Sequence, residues 1–261
     1  MWEPPTACLL AQCDADAAAL EHARPLSAGV LDKIRGHLRI TLTYASNAIE
    51  GNTLSLREPM VVLEGQTVPG KPLRDHLEAV DHAEALSFIW ELAEKGPALT
   101  GADVRSIHAL VLRRSRPEEA GRWRTTGVRI GSSAHVPPDH TAVPSVMDQW
   151  VAQWNQASAL HPIARAARLH SGFVSIHPFL DGNGRTARLL TNLDLIHRGH
   201  RPALLVPRER LQYYDALEAS RAGHWDPLVR HFAAAVQRTF VECWQPYLTQ
   251  TPEPPPPAPT R

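Results

Sequence analysis

Residues 177–188 read His-Pro-Phe-Leu-Asp-Gly-Asn-Gly-Arg-Thr-Ala-Arg, and they join one apolar helical run, Ile163 to Ile176, to another carrying Leu189, Leu190 and Leu193. A Gly-Asn-Gly sequence at a helix N-terminus lets successive backbone N–H groups point into a concavity, where the helix dipole adds positive potential. Gly182, Asn183 and Gly184 therefore predict an anion or phosphate cradle. Arg185 and Arg188, three residues apart, share one side of the helix and can meet phosphate oxygens with forked guanidinium groups. Asp181, at the mouth, offers a hard carboxylate to a magnesium ion, and His177 can accept a proton near neutral pH. There is no GxxxxGK[ST] pattern, so this is not a P-loop. Singly, these residues read as a turn, a packed imidazole and a solvated helix face; together, at fixed spacing, they read as one site.

The surroundings are mostly helical. Residues 27–49 read as the first helix, with Leu31, Ile34, Leu38, Leu42, Ala45 and Ile49 at helical spacing and Gly51 as its C′ residue. Ser55 and Glu58 have capping-box spacing for a second helix, Lys71 to Lys95 form a third, and Thr100 caps the next, through Arg113. Helices are expected again at 143–157, 162–176, 182–199, 207–222 and 225–247. Between them, residues 125–138 break the pattern, because Val128-Arg129-Ile130 alternates before a Gly-Ser-Ser turn and the stretch ends in Pro-Pro. This predicts a short exposed hairpin.

The 261 residues carry 27 basic and 27 acidic side chains, with 43% hydrophobic against 21% charged, which excludes wholesale disorder and argues against a broad nucleic-acid surface. Of 23 prolines, six lie in the last ten positions, so the tail is biased toward polyproline II and cannot join a packed core. Cys8, Cys13 and Cys243 form neither a disulfide framework nor a zinc spacing, and no apolar run reaches the ~18 residues of a membrane span. The expectation is a cytoplasmic protein that binds neither membrane nor nucleic acid. The domain reading is an N-terminal extension at 1–26, a helical region at 27–99, a catalytic core at 100–248 and a disordered tail at 249–261.

The 177–188 stretch resembles, at every defining position, the HxFx[DE]GNGRxxR signature of Fic-domain proteins. The resemblance implies an all-α fold, a Fic-type helical bundle with a short β-hairpin flap over the active site. It implies AMPylation, the transfer of AMP from ATP to a protein hydroxyl with Mg2+ present. His177 would be the general base and Asp181 the metal ligand. Gly182, Asn183, Gly184, Arg185 and Arg188 would hold the phosphates, with Arg188 nearest the γ-phosphate. Upstream, Ser46-Asn47-Ala48-Ile49-Glu50-Gly51 is similar to the family's [ST]xxxE[GN] inhibitory motif. Glu50 there sits at a helix C-terminus, where a carboxylate is disfavoured by ~0.3–1 kcal/mol and needs a cationic partner. The resemblance names Arg188.

Gly121-Arg122-Trp123-Arg124 followed by Val128, Arg129, Ile130 and Gly131 resembles the family's flap, on which a target protein docks at 126–138 by strand addition. Tyr213-Tyr214 resembles the wall of the adenine pocket, with Tyr214 against the base. Arg221 departs from the pattern, standing where relatives commonly place Asn near the base. The order of elements is similar to that of the animal family members that modify the chaperone BiP, and family members are often homodimers. Three activities stay open on these residues: autoinhibited adenylyl transfer, de-AMPylation by water that Glu50 activates, and a nucleotide-dependent binding module without turnover.

Overall fold

The helix that follows the 177–182 turn is buried almost all round and forms the axis of the molecule, although its sequence is largely polar. In the computed structural model of the chain, residues 2–23, 25–131 and 133–248 are described, and the proline-rich tail at 249–261 lies outside them. The described residues are helical, without a strand: α1 Pro4–His22, α2 Ala28–Ile49, α3 Glu58–Leu63, α4 Leu73–Lys95, α5 Gly101–Val111, α6 Val143–Asn155, α7 Pro162–Ile176, α8 Asn183–His197, α9 Arg210–Arg221 and α10 Asp226–Thr239. Helix α10 continues through a π-helical turn, Phe240–Trp244, into a last turn, Gln245–Leu248. Helix α8 packs against α7 on one side and against α4 and α5 on the other, and α2 lies across α4 with its C-terminal end over the start of α8.

Several polar residues of α8 are buried against partners that other elements supply. Asp194 pairs with Arg165 of α7, Thr191 with His170 of α7, and Asn192 Oδ1 accepts the Ala203 N–H at 2.8 Å. The apolar side of α8 (Ala187, Leu189, Leu190, Leu193, Leu195) joins a continuous core with Phe173, Ile176 and Phe232. Burying a Leu or Phe side chain contributes about 1.5–3 kcal/mol, so this layer dominates the stability of the site's scaffold.

Two sequence expectations need correction. The helix over 27–49 is not the first, because residues 4–22 are also helical: Pro4 and Pro5 start the helix, and Leu10, Cys13 and Leu20 are buried, the helix packing on α10. Asp14 of this helix ties it to the core through His161 Nε2 at 3.1 Å and His200 Nε2 at 3.7 Å. Second, the described residues of 125–138 form no strand pair. The backbone of this loop is held instead by Arg124, whose guanidinium is buried and donates to Thr126 O and Pro138 O, drawing the two ends of the loop together around one side chain.

Two of the expected ends hold, whereas Ser55 does not cap the second helix: α3 starts at Glu58 behind Arg57 with no side-chain cap, and only the Ser55 N–H reaches the Glu58 carboxylate. Thr100 and Asp103 make a reciprocal capping box for α5. Gly51, at φ 96°, is the C′ residue of α2: its N–H reaches Ala48 O at 3.1 Å and the Asn52 N–H reaches Asn47 O at 3.1 Å, a Schellman closure that only a residue free to take positive φ completes without strain. No described helix is long and apolar enough to cross a membrane.

Candidate active site

Helix α7 ends at His177, which sits in the left-handed region (φ 50°, ψ 58°), the one described residue other than glycine with positive φ. That conformation costs roughly 1–2 kcal/mol for a residue with a Cβ. Arg124 holds it by donating from Nε to His177 O at 2.8 Å, while the Arg124 N–H donates to Pro178 O at 2.9 Å. The His177 Nδ1 faces Val174 O at 3.4 Å, which directs Nε2 toward the cavity. Burial draws this imidazole below the ordinary histidine range, and the charges of Arg124 and Arg221 act the same way against the Val174 carbonyl and the Glu50 carboxylate. His177 therefore favours the neutral imidazole at neutral pH.

The loop from Phe179 to Gly182 is fixed by two groups. Asn183 is buried, and its side chain is spent on Phe179: Oδ1 accepts the Phe179 N–H at 3.0 Å and Nδ2 donates to Phe179 O at 2.8 Å. Its side chain therefore staples the loop and leaves its backbone to the cradle. His108 of α5 is the second group, stacked on the Phe179 ring at 3.5 Å with 3° between planes. Its Nδ1 accepts the Gly121 N–H and its Nε2 donates to Asp181 O, both at 2.9 Å, an arrangement that requires the neutral Nε2–H tautomer. Burial pushes this imidazole down to about 4, so the tautomer persists at neutral pH. Gly182, at φ 75°, passes so close that a Cβ would lie 3.1 Å from His108 Nε2.

Asp181 keeps about a third of its side chain exposed. Oδ1 accepts the Gly182 N–H at 2.7 Å, and Arg116 Nε, Arg185 Nη2 and Arg74 Nη2 lie at 3.2, 3.4 and 3.7 Å from its oxygens. Burial opposes ionisation, yet Arg185, the Gly182 N–H, Arg116 and Arg74 together hold the carboxyl below its usual range. A hard, ionised carboxylate at the mouth, paired with half-exposed Arg74 and Arg116, fits one protein ligand of a magnesium ion whose other ligands are phosphates and water. Arg185 lies deeper, almost fully enclosed, with Nη1 3.4 Å from Glu78 Oε1 and no hydrogen-bond partner at Nε among the described residues.

Arg188 is held by α2. Its Nε donates to Ser46 Oγ and its Nη2 to Ser46 O, both at 2.9 Å, and Nη2 also meets Glu50 Oε1 at 2.8 Å. Burial is the largest single influence and works against the charge, but the Glu50 carboxylate, Tyr213 and Tyr214 together raise the guanidinium above its ordinary range. The Glu50 carboxylate lies directly over Gly184, where any Cβ would overlap Oε1.

Glu50, His177, Gly184 and Arg188 line one cavity of about 480 Å³, together with Arg129, Ile130 and Gly131 of the loop and Tyr213, Tyr214 and Arg221 of α9. Val128, Asp181, Asn183 and Arg185 are not in its lining; the last three lie around and beneath the α8 N-terminus. Ser46 and Gly51 set the position of Glu50 and line no part of the cavity. Tyr213 forms the cavity floor through a buried relay. Thr191 Oγ1 donates to Ala187 O, so His170 Nδ1–H donates to Thr191 and Nε2 accepts the Tyr213 hydroxyl proton at 2.7 Å. Burial pushes His170 down to about 3 and Tyr213 well up, which keeps the relay neutral. His108, Arg124 and His170 were not assigned roles from sequence; each acts on residues 13 to 73 positions away, and no local pattern marks such pairings.

The Fic/DOC family profile matches residues 98–195 of the chain. The chain is 39% identical over 202 residues to the protein adenylyltransferase Fic of Nematostella vectensis, covering 76% of this chain and 47% of that protein. It is 40% identical over 207 residues to the protein adenylyltransferase fic-1 of Caenorhabditis elegans, covering 75% and 40%. The chain thus spans less than half the length of these relatives. The fold superposes on a solved Fic-1 fragment from C. elegans with a TM-score of 0.80 at 32% identity, covering 90% of this chain and 72% of that one. A Fic domain containing signaling protein from Bacteroides thetaiotaomicron shares the fold at a TM-score of 0.81 and 23% identity, covering 89% of this chain and 94% of that one.

Proposed function

Because the chain belongs to the Fic/DOC family, we propose that it is an autoinhibited protein adenylyltransferase that moves AMP from ATP to a hydroxyl side chain of a target protein or of itself. The observation that carries this reading is the cavity shared by the neutral base His177, the glycine backbone at the start of α8 and the guanidinium of Arg188. The ATP phosphates lie over the N–H groups of Asn183 and Gly184, where the helix dipole and Arg188 offset their charge. Arg185, beneath the cradle, adds positive potential. Asp181 is the residue that would hold Mg2+, which neutralises phosphate charge when bound. His177 Nε2 takes the proton of the attacking hydroxyl; the hydroxyl oxygen bonds to the α-phosphorus while the bond to the β-phosphate oxygen breaks, and its electron pair leaves with pyrophosphate. Positioning and electrostatics supply the acceleration. Tyr214, on the α9 wall, stacks on the base.

Glu50 competes with the γ-phosphate for Arg188 and occupies space over Gly184, so it disfavours a productive ATP pose. The loop at 126–138 receives the target: an extended segment laid along it supplies the pairing edge that the loop lacks by itself. Residues 27–99 are then the inhibitory region and 100–248 the catalytic core. A second reading is favoured by the exposure of Glu50, about a third of whose side chain remains accessible beside His177. In that reading Glu50 activates water for attack on an AMP–protein phosphodiester, and the protonated His177 donates to the leaving hydroxyl.

The test uses ATP labelled at the α- or γ-phosphate with wild type, Glu50→Gly and His177→Ala. Protein labelling from the α position alone, raised by Glu50→Gly and absent in His177→Ala, is expected. Transfer of the γ label overturns the reading in favour of kinase chemistry. Release of AMP from a premodified target by wild type, lost in Glu50→Gly, identifies the hydrolase.

A further inference from the structure

Arg221, the last residue of α9, reaches across the cavity wall to two other elements. Its Nε donates to Ser175 Oγ of α7 and its Nη1 to Ser133 Oγ of the loop, both at 3.0 Å, and Nη1 also pairs with Glu218. Its Nη2 is buried without a hydrogen-bond partner among the described residues, in a side chain that lines the cavity. An unmet buried donor is unfavourable, and a ligand that supplies an acceptor to it offsets that cost. With the phosphates at the α8 end, the base falls against the apolar wall of Val174, Tyr214 and Leu217; α9 lines the cavity with four charged groups, Arg210, Asp215, Glu218 and Arg221, of which Glu218 and Arg221 lie in its last turn, directly after Leu217.

We propose that Arg221 reads the base through this free donor and admits 6-oxopurine nucleotides, GTP among them, alongside ATP; the inference rests on the nucleotide-pocket reading of the cavity. A guanidinium carries donors and no acceptor. Guanine presents O6 and N7 as adjacent acceptors, the edge that arginine matches best, whereas adenine places an amino donor beside N7 and is matched by an amide that both donates and accepts. At this wall the adenine amino group needs a separate acceptor, which the part-exposed carboxylate of Glu218 provides. The outcome is a purine site without strong discrimination at the six position.

The experiment is equilibrium titration of the full chain with magnesium complexes of ATP, GTP and 7-deaza-GTP, in wild type and Arg221→Asn. Wild type is expected to bind GTP within about tenfold of ATP, and to bind 7-deaza-GTP, which lacks the N7 acceptor, about tenfold more weakly than GTP. Arg221→Asn should shift the GTP-to-ATP affinity ratio about tenfold or more toward ATP. The ratio separates base reading from structural damage, because a loosened loop weakens both nucleotides together. An unchanged ratio in Arg221→Asn, or wild type that binds ATP and not GTP, overturns the proposal. Absence of binding by every nucleotide in both proteins overturns the nucleotide-pocket reading itself.

Discussion

Replacing Glu50 by Ala should make the protein less stable and more active at once. Arg188 is buried and donates to Ser46 Oγ, Ser46 O and Glu50 Oε1, so the substitution removes one charge-assisted bond and leaves two neutral ones. Such a bond contributes about 1.5–3 kcal/mol when buried. A third of the Glu50 side chain is in solvent, which screens part of that. A loss of about 1–2 kcal/mol follows, or a fall in Tm of roughly 2–8 °C for a domain of this size. The same change frees Arg188 for a phosphate and clears the space over Gly184, and a coupling of ~1–3 kcal/mol corresponds to a rise of 5–150-fold. Thermal unfolding without nucleotide and incorporation of α-labelled ATP measure the two effects. A rise in labelling with no loss of Tm would show that Glu50 does not hold Arg188 in solution. A loss of Tm with no rise in labelling would refute the competition for the arginine.

Asn183→Ala leaves the buried N–H and C=O of Phe179 without partners and should cost about 2–4 kcal/mol, read by denaturant unfolding, with loss of labelling. Gly184→Ala forces the Glu50 carboxylate aside and lowers Tm; the same substitution on a Glu50→Gly background should be much milder, a coupling that a double-mutant cycle measures. For His177, the neutral form is the working base. Because burial and neighbouring arginines depress its pKa, that form persists to lower pH, and the acid limb of the rate profile should fall below the ordinary histidine value of about 6.5. An acid limb at or above that value would contradict the burial.

The sequence carried the helical architecture and the 177–188 loop because both are local: periodicity marks a helix face, and the loop's base, carboxylate, glycines and arginines lie at fixed spacing within twelve residues. It misjudged elements whose structure depends on distant partners. Helix α1 is rich in alanine and lacks a sharp apolar stripe, so its docking on α10 left little trace. Arg185 and Arg188 by themselves resemble a solvated face, and both are buried because α2 and α4 bring Glu50, Ser46 and Glu78 to them. Asn183 looks like a phosphate ligand until Phe179 is seen to use both ends of its amide. The loop at 125–138 has strand-like alternation, yet its two ends are drawn together by one buried side chain, Arg124, which donates to Thr126 O and Pro138 O.

The two residues of α2 that grip Arg188, Ser46 and Glu50, are four apart and so occupy one line along the helix. A helix turns as a solid rod, and each residue of register is worth 100° of rotation and 1.5 Å of travel. A modest roll of α2, or a pull on the turn that ends it at Gly51, therefore strips hydroxyl, carbonyl and carboxylate from the guanidinium in a single motion. Arg188 is released like a key from a latch rather than one bond at a time, and any binding event that turns α2 shifts a population between a held and a free arginine.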